Sequence, residues 1–259
     1  MPEPIRLEIN PPFASIILDR PDKRNALSIA MWDKIPAFVA TAENDPSVNV
    51  LLLAGEGGAF AAGADISEFE TIYATEDTAT ASGRTIAAAL DAVEQCPKPV
   101  IAAIEGACVG GGVSLAMAAD IRLGAEGSKF GVTPGKLGLV YPAGDTRRLL
   151  AAVGPSATKD ILFTGRIFSA SEAKSIGLID RLVGTSQALV EARALGDEIA
   201  AISQWSVRAT KRMIAGLQTG WSEKTPEAEA LFVAGFTNED FREGYRAFLE
   251  KRAAAFTYR

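Results

Sequence analysis

Apolar positions fall along this chain in two rhythms. Val48 to Ala54 (VNVLLLA) and Val100 to Ile104, the latter following two prolines, are short unbroken apolar runs. Runs of that kind are too apolar to face water and read as strands covered on both sides, as in an α/β protein. Ile5 to Ile9 and Ala14 to Asp19 read as an antiparallel pair turned by Asn10-Pro11-Pro12, with Arg20-Pro21 closing the second strand. A helical rhythm starts after Ser28, a plausible N-cap, and runs to Asn44, where Asn44-Asp45-Pro46 stops it. A further helix is expected over Val113 to Ala119. Thr71 to Gln95 carries alanine and polar residues with few anchors, which predicts a mobile loop, a candidate lid, and then a helix from Arg84 to Gln95. Beyond Gly124 come a short strand at Lys129 to Gly131, a turn-rich stretch to Gly154, and helices at Pro155 to Leu162, Ser169 to Ile176, Ser186 to Ile202, Ser206 to Gln218, Pro226 to Gly235 and Glu239 to Arg252. The last third is almost wholly helical. Its Phe232, Phe236, Phe241, Phe248 and Phe256 read as anchors on a partner surface or on the core.

The composition narrows what these elements serve. With 48% hydrophobic and 22% charged residues in 259, the chain is a soluble globular type with enough length for a substantial core. A net charge of −6 argues against a general nucleic-acid surface. MPEPIRLEIN lacks the pattern of an export signal and no run approaches membrane-spanning length, so a cytoplasmic location with no membrane partner is expected. Cys96 and Cys108 are too sparse for a disulfide framework or a zinc site and read as reduced core thiols. The complete absence of histidine is the sharpest exclusion: it removes the usual neutral-pH base, the Ser-His-Asp arrangement and most catalytic zinc sites. Acid–base work is left to Asp, Glu, Tyr, Lys or water, and no metal site is expected.

Gly110, Gly111 and Gly112 remove three side chains where a helix begins after a buried strand. A helix start has unpaired N–H groups at the positive end of its dipole, so an oxyanion can be held there by main chain alone. The dinucleotide fingerprint fails because position 115 is leucine, and a phosphate loop fails for want of a Gly-Lys-Ser/Thr ending. A second junction, GEGGAFAAGADISEF from Gly55 to Phe69, follows the strand before, with Asp65 able to cap a short helix from Ile66. Two such junctions, AFAAGAD and GACVGGG, are what a site with two main-chain donors converging on one oxygen requires.

Together with RPDKRNAL at Arg20 to Leu27 and FREGYRAFLEKR near the C-terminus, these motifs resemble the crotonase superfamily, the enoyl-CoA hydratase/isomerase family, nearly end to end. The resemblance implies a crotonase-like spiral of ββα turns, an α/β core over 1–198 with the acyl-CoA site, and a helical oligomerisation region over 199–259 giving a trimer or dimer of trimers. It places the oxyanion hole on the N–H of Ala62 and of Gly111, where the thioester carbonyl of an acyl-CoA substrate would sit. It puts Ala26, Ala64, Asp65 and Ile66 along the CoA adenine and pantetheine channel. Lys23 and Arg24 lie where basic residues meet CoA phosphates, and are equally well read as solvated loop charges. Phe248 and Lys251 match positions that complete a CoA site, often a neighbouring subunit's. CoA enters as part of the substrate, with no resident cofactor.

The departures concern the reaction. Typical hydratases of the family carry two glutamates where this chain has Ser114 and Pro134. A mechanism with two glutamate carboxylates as general base and acid is therefore not transferable. Replacements are confined to Tyr141 to Arg148. Asp145 reads as an N-cap, as a partner of a nearby arginine, or as the catalytic acid/base. FGVTPGKLG resembles the corresponding run of naphthoate synthases, and there Tyr141 stands in place of an aspartate; it either donates a proton or fills the pocket. Ser114 either orients a water or the acyl group, or is a small residue at a helix start. The leading expectation is an enoyl-CoA hydratase or isomerase type of enzyme working through an enolate. Kept beside it are a thioester hydrolase, a carbon–carbon or carbon–halogen lyase, and a CoA-binding protein without turnover.

Overall fold

The structure, a computed structural model, describes residues 3–258. Its strands are β1 (Ile5–Asn10), β2 (Phe13–Leu18), β3 (Val50–Gly55), β4 (Val100–Ile104), β5 (Ala107–Val109), β6 (Ile121–Ala125), β7 (Lys129–Gly131), β8 (Phe168–Ser169) and β9 (Arg181–Val183). Six of them form one sheet in the order β1-β2-β3-β4-β6-β9, and β5, β7 and β8 form a second. Only β1 and β2 are antiparallel in the large sheet; from β2 to β9 every neighbour is parallel. The chain advances by repeating one unit: a strand in the large sheet, a strand in the small one, then a helix. β4, β5 and α4 (Gly111–Ala118) make one turn, and β6, β7 and α5 (Ala143–Thr164) the next. The turn that starts from β3 contributes only a bridge to the small sheet, Ala61 against Cys108.

The unbroken apolar runs are explained by two buried faces. On β3, Leu51 and Leu53 join the larger core while Val50, Leu52 and Ala54 join a smaller one; on β4, Ile101 and Ala103 take the smaller side. The period of two sorts alternate residues to opposite faces, and both faces are roofed by helices. The larger core lies under α1 (Ile29–Asn44), α3 (Glu76–Gln95), α4 and α5, and the smaller is closed by Ala188, Ala192 and Leu195 of α7 (Ala188–Ala200). A single helical turn, α2 (Phe69–Ile72), precedes α3, and α6 (Ala170–Ser175) follows β8. Past α7 lie α8 (Gln204–Gln218), α9 (Pro226–Ala234) and α10 (Glu239–Glu250).

Two expectations are corrected, and of a third only one alternative is excluded. Thr71 to Arg84 is not a mobile lid: α3 is one helix from Glu76, started by a capping box between Thr75 and Thr78 and anchored by Ala89, Leu90 and Val93. The turn-rich stretch before Gly154 ends early, because α5 begins at Ala143 and only kinks at Gly154 (φ 73°). Phe232, Phe236, Phe241 and Phe248 anchor neither core cluster; all are exposed on this chain. Phe232, Phe236, Phe241 and Phe256 line an apolar groove of about 560 Å³ between α8, α9 and α10.

Candidate active site

The site lies at the C-terminal ends of β2, β3 and β5, where open parallel sheets present their loops. The loop after β2 is sewn to the loop after β3 by main chain: Ala62 N–H donates to Arg24 O (2.9 Å), Leu27 N–H to Gly63 O (2.7 Å) and Asp65 N–H to Leu27 O (2.9 Å). Those bonds decide which amides remain. Ala62, expected as an oxyanion donor, is not available, because its N–H is already spent on Arg24. Ala64, two residues on, is exposed and its N–H has no partner among the described residues. Gly111 N–H, first in α4, is likewise without one. A Cβ on Gly111 would lie 3.9 Å from the Ala64 nitrogen, 3.6 Å from Leu27 Cδ1 and 3.3 Å from the Trp32 ring. The free pair is therefore Ala64 and Gly111, side by side above buried Trp32. The flanking glycines have different tasks. Gly110 takes φ 52°, which turns β5 into α4, and Gly112 lies so close to Ala61 O that a Cβ would sit 2.4 Å from it.

One helical turn along α4 begins a buried polar chain. Ser114 Oγ donates to Asp145 Oδ2 at 2.8 Å and lies 2.8 Å from Tyr141 Oη. Since the serine proton goes to the carboxylate, the tyrosine hydroxyl donates to Ser114 Oγ. The order is Tyr141 to Ser114 to Asp145. All three are at most 8% exposed. Burial first, and the Asp145 charge second, push the Tyr141 hydroxyl well above its ordinary range, so it is a donor and not an anion. Burial also raises the Asp145 carboxyl, while the Ser114 hydroxyl and the Arg148 guanidinium pull it back.

Asp145 does not cap α5; Pro142 is the N-cap and Asp145 sits in the first turn. The arginine-partner reading holds alongside the link to Ser114: Arg148 Nη1 lies 3.4 Å from Asp145 Oδ1. Arg148 is buried and is held in turn by Asp91 (2.6 Å) and Glu94 (2.8 Å) on α3. The sequence reading missed this pairing, whose only sign was two acids at i, i+3 on a helix. Ser114 is more than a small residue at a helix start, since it joins the other two groups.

The remaining candidates fall in different places. Asp65 is a structural anchor: its carboxylate accepts from Ser67 N–H (3.1 Å) and pairs with Arg20 (2.7 Å) and Lys23 (3.1 Å). The Ser67 hydroxyl foremost, with both cations, holds its carboxyl far below the usual carboxylate range despite burial. Lys23 is thus partly neutralised, while Arg24 is exposed and has no ion-pair partner among the described residues. Ala26 is half-buried and Ile66 exposed on the rim. Phe248 and Lys251 stand exposed at the end of α10, and no hydrogen bond or ion pair ties them to the loops around Ala64 and Gly111. Cys96 and Cys108 are buried free thiols, both pushed up by burial.

Comparison with known proteins gives the family. Residues 8–259 match the family model described as enoyl-CoA hydratase/isomerase. The chain is 35% identical to the crotonyl-CoA hydratase of Syntrophomonas wolfei, covering 98% of each. Among solved structures, an enoyl-CoA hydratase/isomerase family protein from Hyphomonas neptunium is 72% identical, with a TM-score of 0.98 over 99% of this chain and 98% of that one. An enoyl-CoA hydratase from Bacillus anthracis is 30% identical, with a TM-score of 0.92 over 99% and 100%.

Proposed function

The chain belongs to the enoyl-CoA hydratase/isomerase family, whose acyl-CoA hydratase/isomerase type of function it shares, and on that premise we propose how its own residues divide the work. The thioester oxygen of an enoyl-CoA sits between the N–H groups of Ala64 and Gly111. As charge develops on that oxygen in the enolate, two aligned amides stabilise it more than they do the ground-state carbonyl. The observation that carries this reading is the pairing of two adjacent, unsatisfied main-chain donors beside Trp32.

The proton relay runs through Ser114. Asp145 accepts from Ser114 Oγ at 2.8 Å, and in this proposal it acts on the substrate through that hydroxyl. In the hydration direction, Ser114 takes a proton from the attacking water as it passes its own to Asp145, and hydroxide bonds to Cβ. The proton returns by the same path to the enolate Cα. Each step conserves one proton within the relay. A buried Asp145 hydrogen-bonded to Ser114, which lies one helical turn from Gly111, argues against a chain that binds CoA without turnover. The 2.8 Å contact of Ser114 with Asp145 also supports a second reading, thioester hydrolysis with Ser114 as nucleophile. Incubation with crotonyl-CoA separates the two: hydration gives 3-hydroxybutyryl-CoA with no free thiol, whereas hydrolysis releases CoA. Release of CoA would replace the hydration reading with the hydrolytic one, and the formation of no product at all would defeat both.

CoA takes part as substrate and not as a resident cofactor, with Arg24 free to meet its phosphates and Lys23 partly so. A trimer, or a dimer of trimers, belongs to the proposal, and the exposed aromatic ladder Phe232, Phe236, Phe241 and Tyr245 with the apolar groove it lines supports a subunit contact there. No helix among the described residues is long and apolar enough to cross a membrane. A role in fatty-acid metabolism and a cytoplasmic location accord with this reading.

A further inference from the structure

Which residue keeps the Ala64 amide aimed at the Gly111 amide is a separate question from which amides they are. We propose that Asn25 is the positioning residue of the oxyanion hole. This rests on the reading of Ala64 and Gly111 given above and extends it to a side chain that touches neither donor.

Asn25 is fully buried, yet it belongs to neither hydrophobic core. It follows Arg24 (φ 49°) and itself takes φ 57°, a conformation asparagine tolerates better than most side chains. Its amide is bonded both within its own loop and across the gap to the loop after β3. Nδ2 donates to Glu56 O at 2.9 Å and to Ala59 O at 2.7 Å, and Oδ1 accepts from Arg20 N–H at 2.7 Å. Gly55 keeps room for the whole junction, since a Cβ there would lie 2.1 Å from Ala59 O, 2.6 Å from Phe60 O and 2.7 Å from Asn25 Nδ2. Asn25 thus fixes the base of the loop after β3 to the loop after β2. The three main-chain bonds of Arg24 and Leu27 then carry that fix to Ala62, Gly63 and Asp65. Ala64 is held on both sides, and its N–H direction is set by its neighbours. A preorganised donor gains its catalytic value from being held still before the charge appears, so loosening the clamp weakens transition-state stabilisation more than binding.

The test uses the full chain. Asn25→Gly permits the same backbone and removes all three side-chain bonds; Asn25→Asp keeps the shape and the bond from Arg20 but sets an oxygen against two carbonyls. Both are expected to lower kcat for crotonyl-CoA hydration by about 10- to 100-fold while the Kd of butyryl-CoA, a saturated thioester, changes less than about threefold. The carbonyl stretch of bound butyryl-CoA, lowered by the wild-type hole, should move back toward its free value in both. A residue that merely stabilised the fold would lower Tm and leave kcat per folded molecule and the carbonyl stretch unchanged; that result overturns the proposal. Should both variants fail to fold, Asn25→Ser, which keeps one polar group at the position but cannot make all three bonds, must show the same split, and its absence overturns the proposal equally. A wild-type protein that neither binds butyryl-CoA nor transforms crotonyl-CoA would instead refute the functional reading beneath it.

Discussion

The two halves of the site are made of different material. Around Ala64 and Gly111 the working groups are main-chain amides, and side chains such as Asn25, Arg20 and Asp65 only hold the loops. One helical turn away, the Tyr141, Ser114 and Asp145 chain works through side chains alone. A backbone donor survives most substitutions at its own position, so the first half tolerates sequence change as long as the loops keep their bonds. The second half is rewritten whenever a side chain changes. That contrast accounts for a chain that keeps the family's two glycine junctions while placing Ser114 and Pro134 where typical hydratases carry glutamates.

The contrast breaks most visibly at Gly111. Proline fits the first position of a helix but removes the N–H, so Gly111→Pro should cut kcat by a hundredfold or more, about 3 kcal/mol, in a steady-state assay. A variant with wild-type turnover would take the main-chain half out of the account. Asp145→Asn comes next, with a loss of about a hundredfold in kcat and little change in CoA-thioester affinity, measured by kinetics and calorimetry.

The same substitution has an opposite effect on stability. The fold raises the Asp145 pKa, so its contribution is present when the carboxyl is protonated and is lost as pH rises through that raised value. Above it, Asp145→Asn should match or exceed the wild-type Tm; a lower Tm at neutral pH would mean the Arg148 pairing outweighs burial. Turnover runs the other way, since the relay needs an ionised acceptor. Wild-type kcat should fall toward acid with a midpoint above the ordinary carboxylate range, a limb that Asp145→Asn should lack. A midpoint near an exposed carboxylate's would remove Asp145 from the relay.

Two further substitutions sharpen the order within the chain. Ser114→Ala removes the hydroxyl through which Asp145 acts and should cost about as much as Asp145→Asn, on the order of a hundredfold. Tyr141→Phe deletes a hydroxyl that donates into Ser114 and should cost a few-fold. If Tyr141→Phe instead costs more than Asp145→Asn, the tyrosine faces the substrate and the order is reversed.

The long apolar runs and the glycine junctions were readable because burial on two faces and a bare helix start leave composition no alternative. The short strands β5, β8 and β9 were not, since two or three residues pair only because the spiral brings their partners alongside. The front of α3 looked like loop because its polar alanine-rich face meets solvent, and its start depends on a Thr75–Thr78 exchange. At the site, AFAAGAD announces a donor but not which one. Ala62 and Ala64 flank Gly63 alike, and it is Arg24 O, thirty-eight positions back from Ala62, that takes one and leaves the other. Asn25 gave a faint sign, an asparagine after Pro-Asp-Lys-Arg where a left-handed residue suits a turn, but two of its three partners, Glu56 O and Ala59 O, lie in a loop that only the fold brings alongside.

The most direct measurement is a crystal structure with a bound unreactive acyl-CoA such as butyryl-CoA. The account predicts the thioester oxygen within about 3 Å of both the Ala64 and Gly111 nitrogens, with Ala62 N–H still on Arg24 O. A thioester oxygen held by Ala62 N–H released from Arg24, or one that meets neither Ala64 nor Gly111, would contradict it.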